Sequence, residues 1–387
     1  MAKKKFLCLG FNVDKDKGYV TCLAMMHDLF KAILRENGFE VKSISLNSRG
    51  LDSQDKIGKP SIGRYFEYFS IIGKVLITFI TNRKLVFYFN PSTAKAGFYR
   101  DVLLVFLAKI FGHKVLMQQF GALFESFKNS LSKREQGLLS WSYNKADMII
   151  VEGEYAKTQY SFITEQDKIK IIQNGLPELN KDLRKQCKVY APADTFRMFF
   201  MNNMIESKGY VDVLKAVDIL VNERKRDVIC VFAGKFMSLQ EDEYFSSEDD
   251  AKKWFQKYVE DKSLKDRVSY KECVFDEAKA HEFSKAHVFL LPSYYIFEGQ
   301  PTAILEALSY GCVPIVTHYR LIPDMVDETC GAFVSKKSPE EIADVIENFI
   351  KMPAHYASLS RNGYNRFNER FTQEAYSQKI LETVIEL

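Results

Sequence analysis

Glu298 and Glu306 stand eight positions apart in Phe297-Glu298-Gly299-Gln300-Pro301-Thr302-Ala303-Ile304-Leu305-Glu306-Ala307-Leu308. Gly299 can take backbone angles closed to other residues, and Pro301 suits a first helical turn because its missing N–H would have no partner there. Glu298 therefore precedes a helix start. From Thr302 the apolar residues Ala303, Ile304, Leu305, Ala307 and Leu308 run almost around the cylinder, which predicts a buried helix. A carboxylate at Glu306 in such a helix costs free energy unless a polar group meets it, and a ligand rich in hydroxyls would do so. The N–H groups of Gln300 to Ala303, with the positive end of the helix dipole, form an anion site suited to a diphosphate.

The flanking segments say how these groups are carried. His287 to Ser293 reads as a short buried strand ending in a turn, and Gly311 to Thr317 as the next strand. Strand, glycine-bearing loop, helix and strand make a parallel α/β unit, whose ligands bind beyond the carboxyl ends of the strands. The same alternation runs along the chain in two series. The first has strands at Lys4 to Leu9, Val41 to Leu46, Leu85 to Phe89, Lys114 to Gln118 and Met148 to Val151, with helices at Thr21 to Asn37 and Arg100 to Phe111. The second has strands at Phe196 to Met201, Val228 to Ala233, Val268 to Tyr270, Val288 to Leu291 and Pro314 to Thr317. Its helices are expected at Tyr210 to Arg224, Ala251 to Glu260, Asp276 to Lys285 and Thr302 to Tyr310. Two α/β domains follow, with the linker near Gly175 to Asp194, where Asn174-Gly175, Pro177 and Pro192 break the pattern. The acidic stretch Gln240 to Asp250 reads as an exposed loop.

Ser293 to Val334, with Glu298-Gly299-Gln300-Pro301, Leu305-Glu306-Ala307-Leu308, Gly311, Pro314 and Ile322-Pro323, resembles the donor-site signature of glycosyltransferase family 4. The resemblance is specific over about residues 196 to 350 and only topological before that. It implies a retaining, metal-independent enzyme with no cofactor. The implied fold is GT-B, with two doubly wound Rossmann-like domains facing a central cleft. The domains are expected at 1–185 for the acceptor and 186–365 for the nucleotide sugar, with 366–387 crossing back to the first. By the same resemblance Glu298 approaches the donor sugar, Glu306 holds the ribose hydroxyls, and the backbone of Gly299, Gln300, Pro301 and Thr302 meets the diphosphate. Glu206-Ser207-Lys208-Gly209-Tyr210 resembles the family's Lys-Gly segment, whose lysine neutralises the donor phosphates, so Lys208 joins Glu298 as a catalytic candidate. Asn203 replaces the arginine usual five residues earlier, which removes one cationic clamp. On the acceptor side, Gln118 and Gln119 stand where many relatives place a histidine, and are expected to hydrogen-bond substrate without acting as a base. Gly10 to Gly18-Tyr19 would wrap the acceptor, although it departs from the usual glycine pair.

Composition bounds these readings. A chain of 387 residues, 47% hydrophobic and 27% charged, has the balance of a soluble protein with room for two cores. Residues 1–185 carry 29 Lys and Arg against 18 Asp and Glu, a balance of +11 out of the total of +4, so residues 186–387 carry −7. No nucleic-acid module or Arg-rich helix accompanies the basic half, which excludes nucleic acid as its expected partner. Instead Tyr65, Phe66, Tyr68, Phe69, Ile71, Ile72, Val75, Leu76, Ile77, Phe79 and Ile80 interleave with Arg64, Lys74, Arg83 and Lys84. That stretch is either a core helix with charged ends or a docking element for an anionic membrane surface. Lys74 interrupts it well short of the ~20 apolar residues of a membrane span. The apolar run after Lys3-Lys4-Lys5 is too short for a secretory signal and reads as a first strand. Seven scattered cysteines with no CxxC pair point to a reducing cytoplasm and no structural zinc. His281, His287 and His318 lack metal-ligand spacing and are expected to be structural.

The function expected from all this is transfer of a hexosyl or N-acetylhexosaminyl group from a nucleoside-diphosphate sugar, UDP-sugar favoured, in cell-surface polysaccharide or glycan synthesis. The expected acceptor is a saccharide or lipid-linked saccharide, and the expected location is the cytoplasm or the inner face of its membrane. Two alternatives stand beside it: a nucleotide-sugar epimerase of the same fold, which needs no acceptor, and a non-catalytic sugar-nucleotide-binding partner protein, suggested by Asn203 and the absent histidine.

Overall fold

The computed structural model describes residues 4–14, 21–47, 62–121, 123–176, 181–184, 187–239 and 242–387. The chain divides into two compact units, Met1–Asn174 with Tyr376–Leu387, and Gly175–Ala375.

In the first unit the strands are β1 (Lys5–Gly10), β2 (Glu40–Ser45), β3 (Val86–Phe89), β4 (Lys114–Gln119), β5 (Met148–Val151) and β6 (Ile169–Ile171). They form one sheet in the order β2-β1-β3-β4-β5-β6, all pairs parallel, with Phe6 opposite Val86 and Leu116 opposite Met148. The central strands read as unbroken apolar runs because parallel strands are covered on both faces. The helices are α1 (Cys22–Glu36), α2 (Ile62–Thr81), α3 (Lys95–Ile110), α4 (Phe124–Ser130), α5 (Lys133–Lys145) and α6 (Glu154–Thr158). Local chemistry starts two of them: Thr21 caps α1 by accepting from Ala24 N–H at 3.2 Å, and Ser132 and Glu135 form a capping box at α5.

The second unit repeats the plan with β7 (Phe196–Met201), β8 (Val228–Ala233), β9 (Val268–Lys271), β10 (Val288–Leu291), β11 (Val313–Val316) and β12 (Ala332–Phe333), in the order β12-β11-β10-β7-β8-β9, again parallel. Its helices are α7 (Tyr210–Asp218), α8 (Glu248–Asp261), α9 (Asp276–Lys285), α10 (Thr302–Ser309), α11 (Ile322–Met325), α12 (Pro339–Lys351) and α13 (Pro353–Arg370). The last helix, α14 (Gln373–Glu386), carries the chain back to the first unit, where Tyr376, Ile380 and Val384 join the core of Phe6, Phe30, Tyr88 and Ile150.

The structure adjusts several expectations. The edge strands β6 and β12 have three and two residues, too short to show a pattern, and were not anticipated. The stretch expected as one helix from Tyr210 to Arg224 ends its α-helical part at Asp218 and continues as a π-helical turn over Ile219–Glu223. The segment expected to cross back as a unit from Arg366 is broken at Phe371–Thr372, where Leu176 bonds to Phe371 O and Gln373 N. Phe367 and Phe371 belong to the core of the second unit, so only Tyr376 onward returns. The division of the chain falls at Asn174–Gly175, ahead of the expected 185. Residues expected as linker are integral to the second unit: Lys188 N–H donates to Ser360 Oγ at 2.7 Å, and Tyr190 packs against Phe196.

Candidate functional site

The carboxyl ends of β7 and β10 place the catalytic candidates. Gly209, at φ 87°, follows Lys208, and a Cβ there would lie 2.6 Å from Pro292 Cγ and 2.7 Å from Pro292 O. Only glycine permits that backbone angle together with that approach, so the Lys-Gly pair lies directly on the exit of β10. Tyr294 N–H donates to Ser207 O at 2.8 Å, which sews the two exits together. A second close approach, between Gly234 at the end of β8 and Asn202 O, leaves no room for a side chain either.

With the backbone held so, Lys208 Nζ lies 2.8 Å from each oxygen of Glu298, and both side chains are nearly sealed, at 6% and 4% exposure. A buried carboxylate needs more than one partner, and Glu298 has them. Ser293 Oγ donates to Glu298 Oε2 and accepts from Tyr295 N–H at 3.3 Å. Thr317, just past β11, donates its hydroxyl to Ser293 O. The Tyr295 ring lies over the ammonium, 4.3 Å from Nζ to centroid. Lys208 and Glu298 are thus separate in sequence and paired in space.

Glu306 sits one turn into α10, roughly 6 Å along the axis from Thr302. It is half-buried, not sealed as its apolar neighbours suggested, because its face of the helix meets α9, where Lys279 Nζ pairs with it at 2.5 Å. Ala303, Ile304, Leu305, Ala307 and Leu308 are buried as expected. Pro301 (φ −69°, ψ 106°) precedes the helix as its cap residue and is not inside the first turn; its carbonyl accepts from Ile304 N–H at 3.0 Å. Gln300 and Pro301 are buried, Gly299 and Thr302 half-buried, so the N–H groups of Thr302 and Ala303 open α10. Asn203 is exposed, its N–H donating to Asn202 Oδ1 at 2.9 Å, and no hydrogen bond joins it to the Lys208–Glu298 pair. Glu206, two residues before Lys208, is buried and accepts from Glu243 N–H at 2.9 Å and Tyr244 N–H at 2.8 Å. Burial pushes its carboxyl above the ordinary range, and through these two bonds it anchors the acidic stretch that was expected as an exposed loop.

The acceptor candidates of the first unit fare differently. Gln118 is fully buried and directed inward: its Oε1 accepts from Tyr88 Oη at 2.6 Å and its Nε2 donates to Tyr376 Oη at 3.2 Å. Its amide is therefore consumed in anchoring α14, not presented to a substrate. Gln119 Oε1 accepts from Tyr143 Oη at 3.0 Å, and its Nε2 donates to Phe120 O at 3.3 Å. Gly18 lies outside the described residues. At the ends of β4, β5 and β6 a buried carboxylate occurs that the sequence reading passed over. Glu152 accepts from Gly121 N–H and Asn174 Nδ2, both at 2.6 Å, yet burial outweighs these bonds and raises its carboxyl to about 7. His27 bonds to Asn90 Oδ1 at 3.1 Å and is pushed down to about 4, chiefly by burial, so it is a neutral core histidine. His287 accepts from Arg197 N–H at 2.8 Å, and His318 stacks on Phe333, both structural.

Lys279, Ser293, Tyr295 and Thr317 were not singled out from sequence. A signal did exist for Ser293 and Tyr295, which follow β10 directly at its carboxyl end. Nothing in the sequence joins Lys279 to Glu306.

Two doubly wound parallel sheets, the second with this lysine–glutamate pair beside a helix start, are the Rossmann-like halves of the GT-B class. Residues 184–366 match the family described as Glycosyl transferases group 1, which marks the second unit as a glycosyltransferase domain. Comparison with curated proteins gives no match. Among solved structures, the chain is similar to Anabaena Alr3699/HepE in complex with UDP, at 15% identity and a TM-score of 0.68 over 99% of this chain and 100% of that one. It is similar to a glycosyltransferase from Rickettsia africae ESF-5, at 14% identity and 0.69 over 100% and 99%. It is also similar to the lipopolysaccharide outer core galactosyltransferase WaaB in its apo form, at 12% identity and 0.67 over 99% of each chain.

Proposed function

We propose that the protein transfers a hexosyl or N-acetylhexosaminyl group, with retention and without a metal, from a UDP-sugar to a saccharide or lipid-linked saccharide acceptor in cell-surface polysaccharide or glycan synthesis. The observation that carries this reading is the buried Lys208–Glu298 pair at the strand ends, next to the first turn of α10. In it the donor diphosphate lies against the N–H groups of Thr302 and Ala303 and takes Lys208 as its counter-ion. The ammonium then offsets the charge that grows on the departing diphosphate as the glycosidic bond breaks. Glu298, released from Lys208 and still held by Ser293, accepts from sugar hydroxyls, and Glu306, oriented by Lys279, accepts from the ribose. Bonding of the carboxylates to hydroxyls fixes the sugar's orientation, so that positioning supplies the rest of the rate. UDP is favoured because Alr3699/HepE is described in complex with UDP and with UDP-glucose.

A lipid-linked acceptor would lie at the inner face of the cytoplasmic membrane, and peripheral association there belongs to the same reading. No described helix is long and apolar enough to cross a membrane. The test is a panel of nucleoside diphosphates and UDP-sugars in calorimetry, followed by NMR of the product's anomeric carbon. Tight binding of UDP and an unchanged anomeric configuration are expected. Binding of no nucleotide, or an inverted product, would end the proposal.

A further inference from the structure

The apolar surface of the first unit is concentrated on two neighbouring helices. Phe69, Ile77 and Ile80 on α2 are 71%, 63% and 61% exposed, and Leu103, Phe106 and Ile110 on α3 are 41%, 47% and 60% exposed. The α3 residues recur at intervals of three and four, so they form one stripe along its outer side; Ile77 and Ile80 do the same on α2, which packs against α3. The inner sides are ordinary core, with Ile71, Val75 and Phe79 of α2 and Leu104, Val105 and Ala108 of α3 buried. The inner side of α2 is thus a core helix, while its outer side is left uncovered. The stripe on α3 was not anticipated.

Charge decides what covers such a surface. From Tyr68 to Lys114 the chain has seven Lys and Arg and a single acid, Asp101. Asp101 is buried and paired with Arg100 at 2.7 Å, so α2 from Tyr68 onward and α3 carry no exposed acid of their own; Glu165 and Glu386, exposed, stand only at the Phe106–Ile110 end of the α3 stripe. Lys74, Arg83 and Lys84 are exposed on α2 and the turn after it. A second copy of the chain would set cation against cation, whereas an anionic lipid surface complements both the apolar stripes and the charge.

We infer that the α2–α3 face is a membrane-docking surface for anionic phospholipid bilayers, with Ile77, Ile80, Leu103, Phe106 and Ile110 entering the headgroup region and Lys74, Arg83 and Lys84 meeting lipid phosphates. This rests on the glycosyltransferase reading only for its purpose, which is to bring the enzyme to a lipid-linked acceptor; the binding itself does not depend on catalysis. The test is co-sedimentation of the full chain with vesicles of phosphatidylcholine alone or with phosphatidylglycerol. The wild type is compared with Lys74→Gln/Arg83→Gln/Lys84→Gln and with Ile77→Ser/Ile80→Ser/Leu103→Ser. Thermal melting of each variant, with and without UDP, confirms that the fold and the second unit are intact.

The expected result is binding to anionic vesicles that weakens with salt and falls about tenfold or more in either triple variant. UDP stabilisation and turnover of a soluble acceptor should be unchanged. Failure of the wild type to pellet with anionic vesicles at low salt, equal pelleting with neutral ones, or variants that bind like the wild type would each overturn the proposal. So would a concentration-dependent dimer that the serine variant abolishes, since a second copy would then be the occupant. Vesicle binding without any turnover would leave docking standing and count against the enzymatic reading instead.

Discussion

Removing the ammonium of Lys208 should be far more harmful than removing the whole pair. In Lys208→Met the carboxylate of Glu298 keeps its bond from Ser293 but loses two contacts of 2.8 Å, at a position only 4% exposed. Stranding a buried charge typically costs about 3–5 kcal/mol, whereas replacing both partners by neutral groups of similar shape is often close to neutral. The double variant Lys208→Met/Glu298→Gln should therefore recover most of the loss, giving a coupling of roughly 2–4 kcal/mol in a double-mutant cycle. Urea unfolding of the four proteins, followed by a probe in the second unit, measures it. Activity should move the other way. If Lys208 offsets charge on the leaving diphosphate, kcat in the double variant stays as low as in Lys208→Met, about 10²–10³ below wild type, however well the fold recovers. A single variant as stable as wild type would refute the buried-pair argument. A double variant that regained both stability and turnover would show that the pair is architectural and that the chemistry lies elsewhere.

Three further outcomes follow from particular contacts. Gly209→Ala forces a side chain into a left-handed backbone position against Pro292, and should cost at least about 1–3 kcal/mol, read as a fall of several degrees in the melting of the second unit. Glu306→Gln should weaken UDP binding about tenfold, as expected for one charge-assisted hydrogen bond, with little change in melting because Glu306 is half-exposed; calorimetry decides it. Glu152 has a folded-state pKa near 7 against 4.5 for the free group, so the folded state holds a proton that the unfolded chain has already lost across that range. Stability contributed at this site is complete below about pH 4.5 and declines as pH rises to about 7, by roughly 3 kcal/mol at most. Urea midpoints between pH 4.5 and 8 should flatten in Glu152→Gln, and an unchanged slope would refute the assignment.

Much of this was legible in the order of residues. Apolar runs of four to six residues between turn formers are enough to mark a parallel strand, because such a strand is covered on both sides and needs no alternation. Most of the described strands were visible on that basis, and those missed, Ile169–Ile171 and Ala332–Phe333, are edge pieces too short to carry a period. The break between Phe371 and Gln373 was hidden for a different reason: it depends on backbone bonds to Leu176, nearly two hundred residues away.

Sequence by itself determined the kinds of groups at the carboxyl end of the second sheet and the local turns that present them, since glycine, proline and an apolar helical run act over a few residues. Tertiary structure alone decided their partners. Lys208 meets Glu298 and Glu306 meets Lys279 because β7 lies beside β10 and α10 beside α9, and a pairing between strands far apart in the chain leaves no trace in either segment. The same holds for Gln118, whose amide looks available in sequence and is enclosed by Tyr88 and Tyr376 once α14 returns to the first unit. Burial, which sets the cost of every unpaired polar group, is a property of the packed molecule and not of the segment that carries the residue.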